Sequence, residues 1–388
     1  NRHEVLDISI YDINWNLEED GIIIKSGIID HLNTKPTETS QININLKKVK
    51  FNNIKQYYIT FKGKLKEANL YADKGYVVFE EQFKIHNTEK EKDSKATKYK
   101  ALTVNEIGNK IIINNKNISF TVDKNSGYIT HLESKGKNLI KSPLKLNFWR
   151  PETENDAAYR GAKKQTNERD WMKAGDNFIV QNIKTNSSEK GKVIITVNGF
   201  IKNPKTSITL KYTFLGNGNL DVDYEADIDT SAPNIPKIGM QFDVSNQYKN
   251  VTYLGKGPQA NYQDRETGAL FGLYKADATT MNYSYAVPQE YGNRMNTSWF
   301  SLQNSVKKGI KITGSKPLNF SVLPYTTENI EKARHTNELL KREQLTINID
   351  LIQMGIGGDN TWSSKAEPHE EYLVKPKKYS YSFSINLF

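Results

Sequence analysis

One alternation constrains this chain more than any other feature. In SITLKYTFLGNGNLDVDYEADI (207–228), Ile208, Leu210, Tyr212 and Phe214 fall on one side of an extended backbone. Leu220, Val222, Tyr224, Ala226 and Ile228 answer them across GNGN. A period of two is the spacing of a half-buried strand, and a turn of Gly and Asn tolerates the positive φ that closes a hairpin. Long strands with one polar face belong to large antiparallel sheets packed on one side. The same period runs through QININLKKVKF (41–51) and QYYITFKGKL (56–65), which predicts strands there too. The turn EEDG (18–21) and the shortness of these patterns point to a small β-sandwich at the start of the chain. One short helix is predicted over TTENIEKARHTNELLKR (326–342), with Thr327 as its cap and Ile330, Ala333 and Leu340 as its stripe. No regular internal repeat is present. The expected fold class is therefore all-β: a small sandwich at 1–90, a polar linker at 91–102 that overlaps the mixed-charge run HNTEKEKDSKATKYK (86–100), and a large sandwich at 103–388.

Composition removes several function classes. No apolar run approaches the roughly 20 residues that span a bilayer, so no membrane partner is expected. A formal net charge of +10 invites nucleic acid, but the lysines are interleaved with acids and no recognition helix is visible. No nucleic-acid partner is expected, and the charge reads as a solvated surface. The chain has no cysteine, which excludes disulfides, thiol catalysis and thiolate metal sites. It fits a bacterial cytoplasm or periplasm equally well. The opening NRHEVLDISIYD lacks a starting Met and an apolar signal core, and reads as a processed or truncated end. Zinc is not supported, since no HExxH or paired histidine spacing occurs.

Four clusters break the strand rhythm: NFWRPETENDAAYR (147–160), YLGKGPQANYQDRETGALFGLY (253–274), YAVPQEYGNR (285–294) and MGIGGDNTW (354–362). Singly, each has a plain reading: a tight turn, an Asp264–Arg265 salt bridge, a rigid loop with a buried Glu290–Arg294 pair. Together and in this order, with FTVDKNSGYITHLESKGKNLI (120–140) and HTNELL (335–340), they make the chain resemble the C-terminal part of the large bacterial β-galactosidases of glycoside hydrolase family 2. The resemblance covers about 105–388. Residues 1–90 resemble, more weakly, the immunoglobulin-like domain that precedes this part in the family, with LYADKGYVVFEEQFKI (70–85) as its closing strand.

The resemblance implies an immunoglobulin-like sandwich followed by a very large antiparallel sandwich of galactose-mutarotase-like type. It implies the non-catalytic portion of an enzyme that hydrolyses terminal β-D-galactosyl residues. The family's two catalytic glutamates lie on a (β/α)8 barrel, and neither the barrel pattern nor the glutamate motifs occur here. No catalytic residue is assigned, and Glu290 is not promoted to that role. The partner implied is the barrel portion or chain of the same enzyme, with a β-galactoside as substrate; homo-oligomerisation is left open. No cofactor is expected in this chain, and magnesium or sodium in the whole enzyme would sit on barrel residues.

For the site, the resemblance makes Trp362 an aromatic platform for the galactosyl ring. Gly355, Gly357 and Gly358 are expected to let the loop turn sharply and pass close to a neighbouring domain. Around it, Asn155, Asp156, Ala158, Asp359 and Asn360 are expected to belong to active-site loops, with AAYRGAKKQTNERDW (157–171) mobile. The chain departs from relatives at TEND for TDND, at Ala158 for Gly, and at DNTW for DDSW, where Asn360 is expected to alter a bracing hydrogen bond. Two rival functions remain. One is a free-standing galactoside-binding module built on Trp362. The other is an aldose 1-epimerase, which needs a Glu base and a His acid converging on the sugar.

Overall fold

The computed structural model describes residues 1–86, 99–163, 167–281 and 283–388. The chain divides into two compact units, Asn1–Ala96 with Leu270–Leu273, and Thr97–Ala269 with Tyr274–Phe388. Residues 91–98 of the expected linker lie outside the described residues, and 99–102 belong to no strand. Among the described residues no helix is long and apolar enough to cross a membrane.

The first unit holds a four-stranded antiparallel sheet: β1 (Tyr11–Glu19), β2 (Ile22–Ile29), β3 (Tyr57–Leu65) and β4 (Val77–His86), in the order β2-β1-β3-β4. Alternation on β1 buries Tyr11, Ile13, Trp15 and Leu17. The expected strand at 41–51 is not one. Its backbone joins no ladder, yet Ile44, Leu46 and Val49 pack against Trp15, Leu17 and Ile59. The period of two is satisfied there by side-chain packing alone, because no neighbouring strand is aligned to receive the backbone hydrogen bonds.

The second unit begins with a five-stranded sheet, β5 (Thr103–Ile107), β6 (Lys110–Asn114), β7 (Ile118–Asp123), β8 (Ile129–Ser134) and β9 (Lys137–Asn138). The larger sheet comprises β10 (Lys145–Asn147), β11 (Ile179–Asn186), β12 (Lys192–Ile201), β13 (Thr206–Leu215), β14 (Leu220–Ile228), β15 (Lys237–Ser245), β16 (Asn250–Gly257), β17 (Leu270–Asp277), β18 (Arg294–Gln303), β19 (Gly309–Leu323), β20 (Gln344–Gln353) and β21 (Lys378–Leu387). Its main path runs β10-β15-β20-β19-β21-β14-β13-β12-β11. The all-β class holds. The hairpin at 207–228 forms as the alternation requires: Phe214 lies opposite Leu220 and Tyr212 opposite Val222, all buried. Their side chains join one continuous apolar core that also takes Ile113, Phe120 and Val122 from the smaller sheet.

The other face of β20 departs from a wet surface. Thr346, Asn348 and Asp350 alternate with Leu345, Ile347 and Ile349, yet all six are buried. The Asn348 carbonyl oxygen accepts bonds from Asn147 (3.0 Å), Lys237 (3.1 Å) and Gln241 (2.9 Å), and its amide donates to Ser321 (2.9 Å). Most buried polar groups are satisfied in this way, and this network knits β10, β15, β19 and β20 across their polar face.

The helical segments correct two expectations. The helix at 326–342 stops at α2, Thr327–Lys332, and a 3₁₀ turn follows at Thr336–Glu338. Its cap is Thr326, whose hydroxyl accepts from the Asn329 amide at 2.9 Å; Thr327 is the first helical residue. Ile330 and Ala333 are buried but Leu340 is exposed, so the stripe ends where the helix does. The segment expected as loop at 157–171 is helical where described: Glu154–Lys163 forms a helix, here αN, and Glu168–Lys173 is 3₁₀. Residues 164–166 lie outside the described residues. Tyr159 and Trp171 are buried, which ties both pieces to the core.

Candidate functional site

Site construction begins at β10. Beyond its end, Arg150 is buried to 1% exposure. Its guanidinium donates to both oxygens of Asp156 (3.1 and 3.2 Å), to the Met354 carbonyl (2.8 Å) and to the Gly355 carbonyl (2.8 Å). A planar fork suits this four-way contact in a way an ammonium would not. Burial works against the Arg150 charge, but the Asp156 and Glu290 carboxylates overcome it and raise its pKa.

Asp156 also starts αN. The Thr153 hydroxyl accepts from the Asp156 amide (3.1 Å), and the Asp156 carboxylate accepts from the Thr153 amide (2.9 Å). This reciprocal pair is a capping box, legible in T-E-N-D. It is the local reason for a helix where a mobile loop was expected. Asn155 and Ala158 therefore sit on a helix rather than a loop.

From αN the Asn155 amide reaches across to donate to two carbonyls, Asn360 (3.0 Å) and Ala366 (3.1 Å). It staples the loop 359–366 at both ends. Inside the loop, the Asn360 side-chain oxygen accepts from the amides of Trp362 (3.2 Å) and Ser363 (3.1 Å) and from the Ser363 hydroxyl (3.1 Å). The bracing role survives with Asn, since it needs only an acceptor oxygen. Asp359 meets His369 at 2.7 Å at the surface; this hydrogen bond lowers the aspartate pKa and raises the imidazole's.

Asp264 does not turn to Arg265. One of its oxygens accepts from the amides of Ile356 and Gly357, both at 2.8 Å. This corrects the expected reason for the glycines. None of Gly355, Gly357 and Gly358 has positive φ. A Cβ on Gly355 would stand 2.9 Å from the Asp264 carboxylate, and one on Gly358 would stand 2.3 Å from the Lys365 carbonyl oxygen. Close approach within the second unit itself demands Gly355 and Gly358, whereas a Cβ on Gly357 would meet only an ordinary contact, 3.7 Å from Asp264.

Glu290 is buried but does not pair with Arg294. Its carboxylate accepts from the Tyr262 hydroxyl at 3.2 Å, and burial raises its pKa against the pull of Lys237 and Arg150. Arg294 donates instead to the carbonyls of Gly292 (3.0 Å), Asn293 (3.2 Å) and Met281 (3.3 Å). Among the described residues no cluster of three or more His, Asp and Glu side chains stands ready for a metal ion.

The outcome is a loop held from beneath by Arg150, Asn155 and Asp264, with Trp362 at its tip. The Trp362 side chain is free of the core: the residue is 80% exposed. Of the expected site residues, the structure gathers Asn155, Asp156, Asp359 and Asn360 around this loop. Arg150, Thr153 and Asp264 complete the assembly and were not singled out for it. Their signal lay in the capping pattern and in the spacing of YQDR, whose contacts are too distant in sequence to read.

The family model of the β-galactosidase small chain matches residues 114–385, and that of β-galactosidase domain 4 matches residues 1–86. The chain belongs to the β-galactosidase small-chain family. It is similar to the β-galactosidase of Streptococcus thermophilus, at 30% identity over 98% of this chain and 36% of that protein. It is similar to the β-galactosidase of Priestia megaterium at 27% identity, over 99% of this chain and 37% of that protein. This family member thus spans just over a third of the length of the curated relatives it matches. Among solved structures, a galactose mutarotase-like protein from Clostridium acetobutylicum aligns with a TM-score of 0.43 and 11% identity, over 75% of this chain and 99% of that one.

Proposed function

We propose that this chain is the C-terminal, non-catalytic portion of a β-galactosidase, and that it presents Trp362 to a galactosyl site whose catalytic carboxyls lie on another portion of the enzyme. The observation that carries this reading is the Trp362 loop. A large apolar ring stands 80% exposed at the tip of a loop fixed beneath by a buried arginine, an asparagine staple and an aspartate. Leaving an indole in water while anchoring its backbone so firmly makes sense when the ring has a partner elsewhere. The apolar C–H face of a galactose ring is such a partner, since stacking buries large area with only two side-chain torsions to fix.

The first unit supports the same reading. Ile22, Ile23 and Ile28 on the edge strand β2 are exposed, and apolar side chains collected on one edge strand suit a surface that meets further protein. The epimerase alternative needs a Glu and a His enclosed about one sugar, whereas the pairs His131–Glu133, His335–Glu338 and His369–Asp359 all stand partly or fully exposed.

The test is turnover of a chromogenic β-galactoside. Rigorously purified chain alone should give none, and the chain joined to a (β/α)8 catalytic portion should give activity that the catalytic portion lacks by itself. Turnover by the isolated chain would overturn the proposal.

A further inference from the structure

A pocket of about 570 Å³ opens over the polar face of the larger sheet, where β10, β15 and β20 lie side by side. Gln241, Asp243 and Thr346 line it from the sheet, Met172 and Lys173 from the 3₁₀ segment, and Thr327 from α2. Its volume falls in the range of small-molecule sites. It shares no lining residue with αN or with the Trp362 loop.

Each acid around this pocket is met by a base. Asp176 is met by Lys145 (2.6 Å), Asp243 by Arg342 (3.2 Å), Glu328 by Lys332 (2.6 Å) and Glu331 by Arg169 (3.1 Å). Lys173 adds its field to that of Lys332 in lowering the Glu328 pKa. A cation would gain little from acids already neutralised. Hydrogen-bonding capacity, by contrast, remains. The Gln241 amide nitrogen is spent on Thr327 (3.4 Å) and Asn348 (2.9 Å), which turns its carbonyl oxygen to other use. Asn147 donates one amide hydrogen to Asn348 and keeps a second. The Ser142 oxygen accepts from the Asp243 amide and keeps its proton to donate. Donors and acceptors are interleaved above Leu146, Phe148 and Met172, and every acid among the lining residues is paired with a base.

We propose that this pocket is a carbohydrate site of the chain's own, taking an uncharged mono- or disaccharide through hydroxyl contacts to Gln241, Asn147 and Ser142. Interleaved donors and acceptors match hydroxyl groups, which are both at once, and the apolar floor matches ring C–H groups. The proposal does not depend on the role of Trp362.

Saturation-transfer NMR and calorimetry on the 388-residue chain with lactose test it. Binding should be roughly millimolar, as for a small polar ligand with few buried contacts. Gln241→Ala should weaken it about fivefold or more through one lost hydrogen bond. Thr327→Tyr, on the pocket wall, should block it even if Gln241→Ala fails to fold. Trp362→Ala should leave it unchanged. Absence of lactose binding up to about 100 mM, tighter binding of galactose 6-phosphate than of lactose, retention of lactose binding in Thr327→Tyr, or its loss in Trp362→Ala would each overturn the proposal.

Discussion

Arg150 and Trp362 belong to one assembly and have opposite exposures, 1% and 80%. Arg150 spends its hydrogen bonds inward, on Asp156 and on the carbonyls of Met354 and Gly355. Trp362 makes its contribution through its backbone amide, which donates to Asn360, while its ring stands exposed. The difference separates two kinds of importance. The inner residue should govern whether the loop exists; the outer one should govern what the loop does.

The largest effect that tests this division is expected at Arg150. Arg150→Ala leaves the Asp156 carboxylate buried without its partner and two carbonyls unpaired, which costs about 3–5 kcal/mol. Urea unfolding should show it as a lower midpoint at unchanged slope. A variant as stable as the parent would mean that the inner contacts are not what holds the loop.

Next comes a pH effect from the same buried face. Burial raises the Asp350 pKa from 3.8 to about 7, opposed only in part by Lys237 at 3.5 Å. An acid whose folded pKa lies above its unfolded value keeps its proton longer in the folded state. Its contribution to stability is fully present below about pH 4 and is lost as pH rises to about 7. Asp350→Asn should remove that decline, seen as a flatter dependence of the urea midpoint on pH between those values.

Trp362→Ala should do the reverse of Arg150→Ala. Stability should stay within about 0.5 kcal/mol of the parent, as for other surface changes. In the assembled enzyme KM for a β-galactoside should rise about tenfold with a smaller change in kcat, because stacking is shared by ground and transition states. Trp362→Phe should lose less, since it keeps a flat apolar face. A sharp fall in melting temperature with KM unchanged would make Trp362 a structural residue after all.

Asn155→Ala should fall between the two in stability, at about 1 kcal/mol for its lost hydrogen bonds. It sharpens the comparison, because it should raise KM without touching Trp362 itself. Steady-state kinetics alongside thermal unfolding would check both halves.

Legibility in the sequence follows the range of the forces involved. The hairpin at 207–228 was readable to the residue, because its partners are joined by a turn and Ile208, Leu210, Tyr212 and Phe214 are buried in one phase opposite Leu220, Val222, Tyr224 and Ala226. The segment at 41–51 has the same phase but no aligned neighbour, so its packing was readable and its missing ladder was not. The helix at Glu154–Lys163 carries little apolar signal beyond Tyr159. The capping pattern announced its start, but its stability comes from Arg150 meeting a loop some 200 residues away in sequence. Trp362 could be picked out from its motif, whereas Asp264 could not, since its partners lie at 356 and 357. The buried polar row on β20 has the alternation of a wet face, and periodicity alone does not distinguish water from a covering layer of Asn, Gln and Lys.

One consequence of Gly358 concerns how such a loop can vary. Its missing side chain is walled in by the carbonyl oxygens of Lys365 at 2.3 Å and Glu367 at 2.5 Å from where a Cβ would stand. Backbone atoms cannot step aside as a flexible side chain can. If residues 354–366 were randomised together and selected for folding, position 358 should return glycine alone, whereas position 362 should return almost any residue. Selection for sugar turnover in the assembled enzyme should then narrow 362 to aromatics and leave 358 as it was. Two screens on one library would thus map which letters of this loop encode shape and which encode recognition.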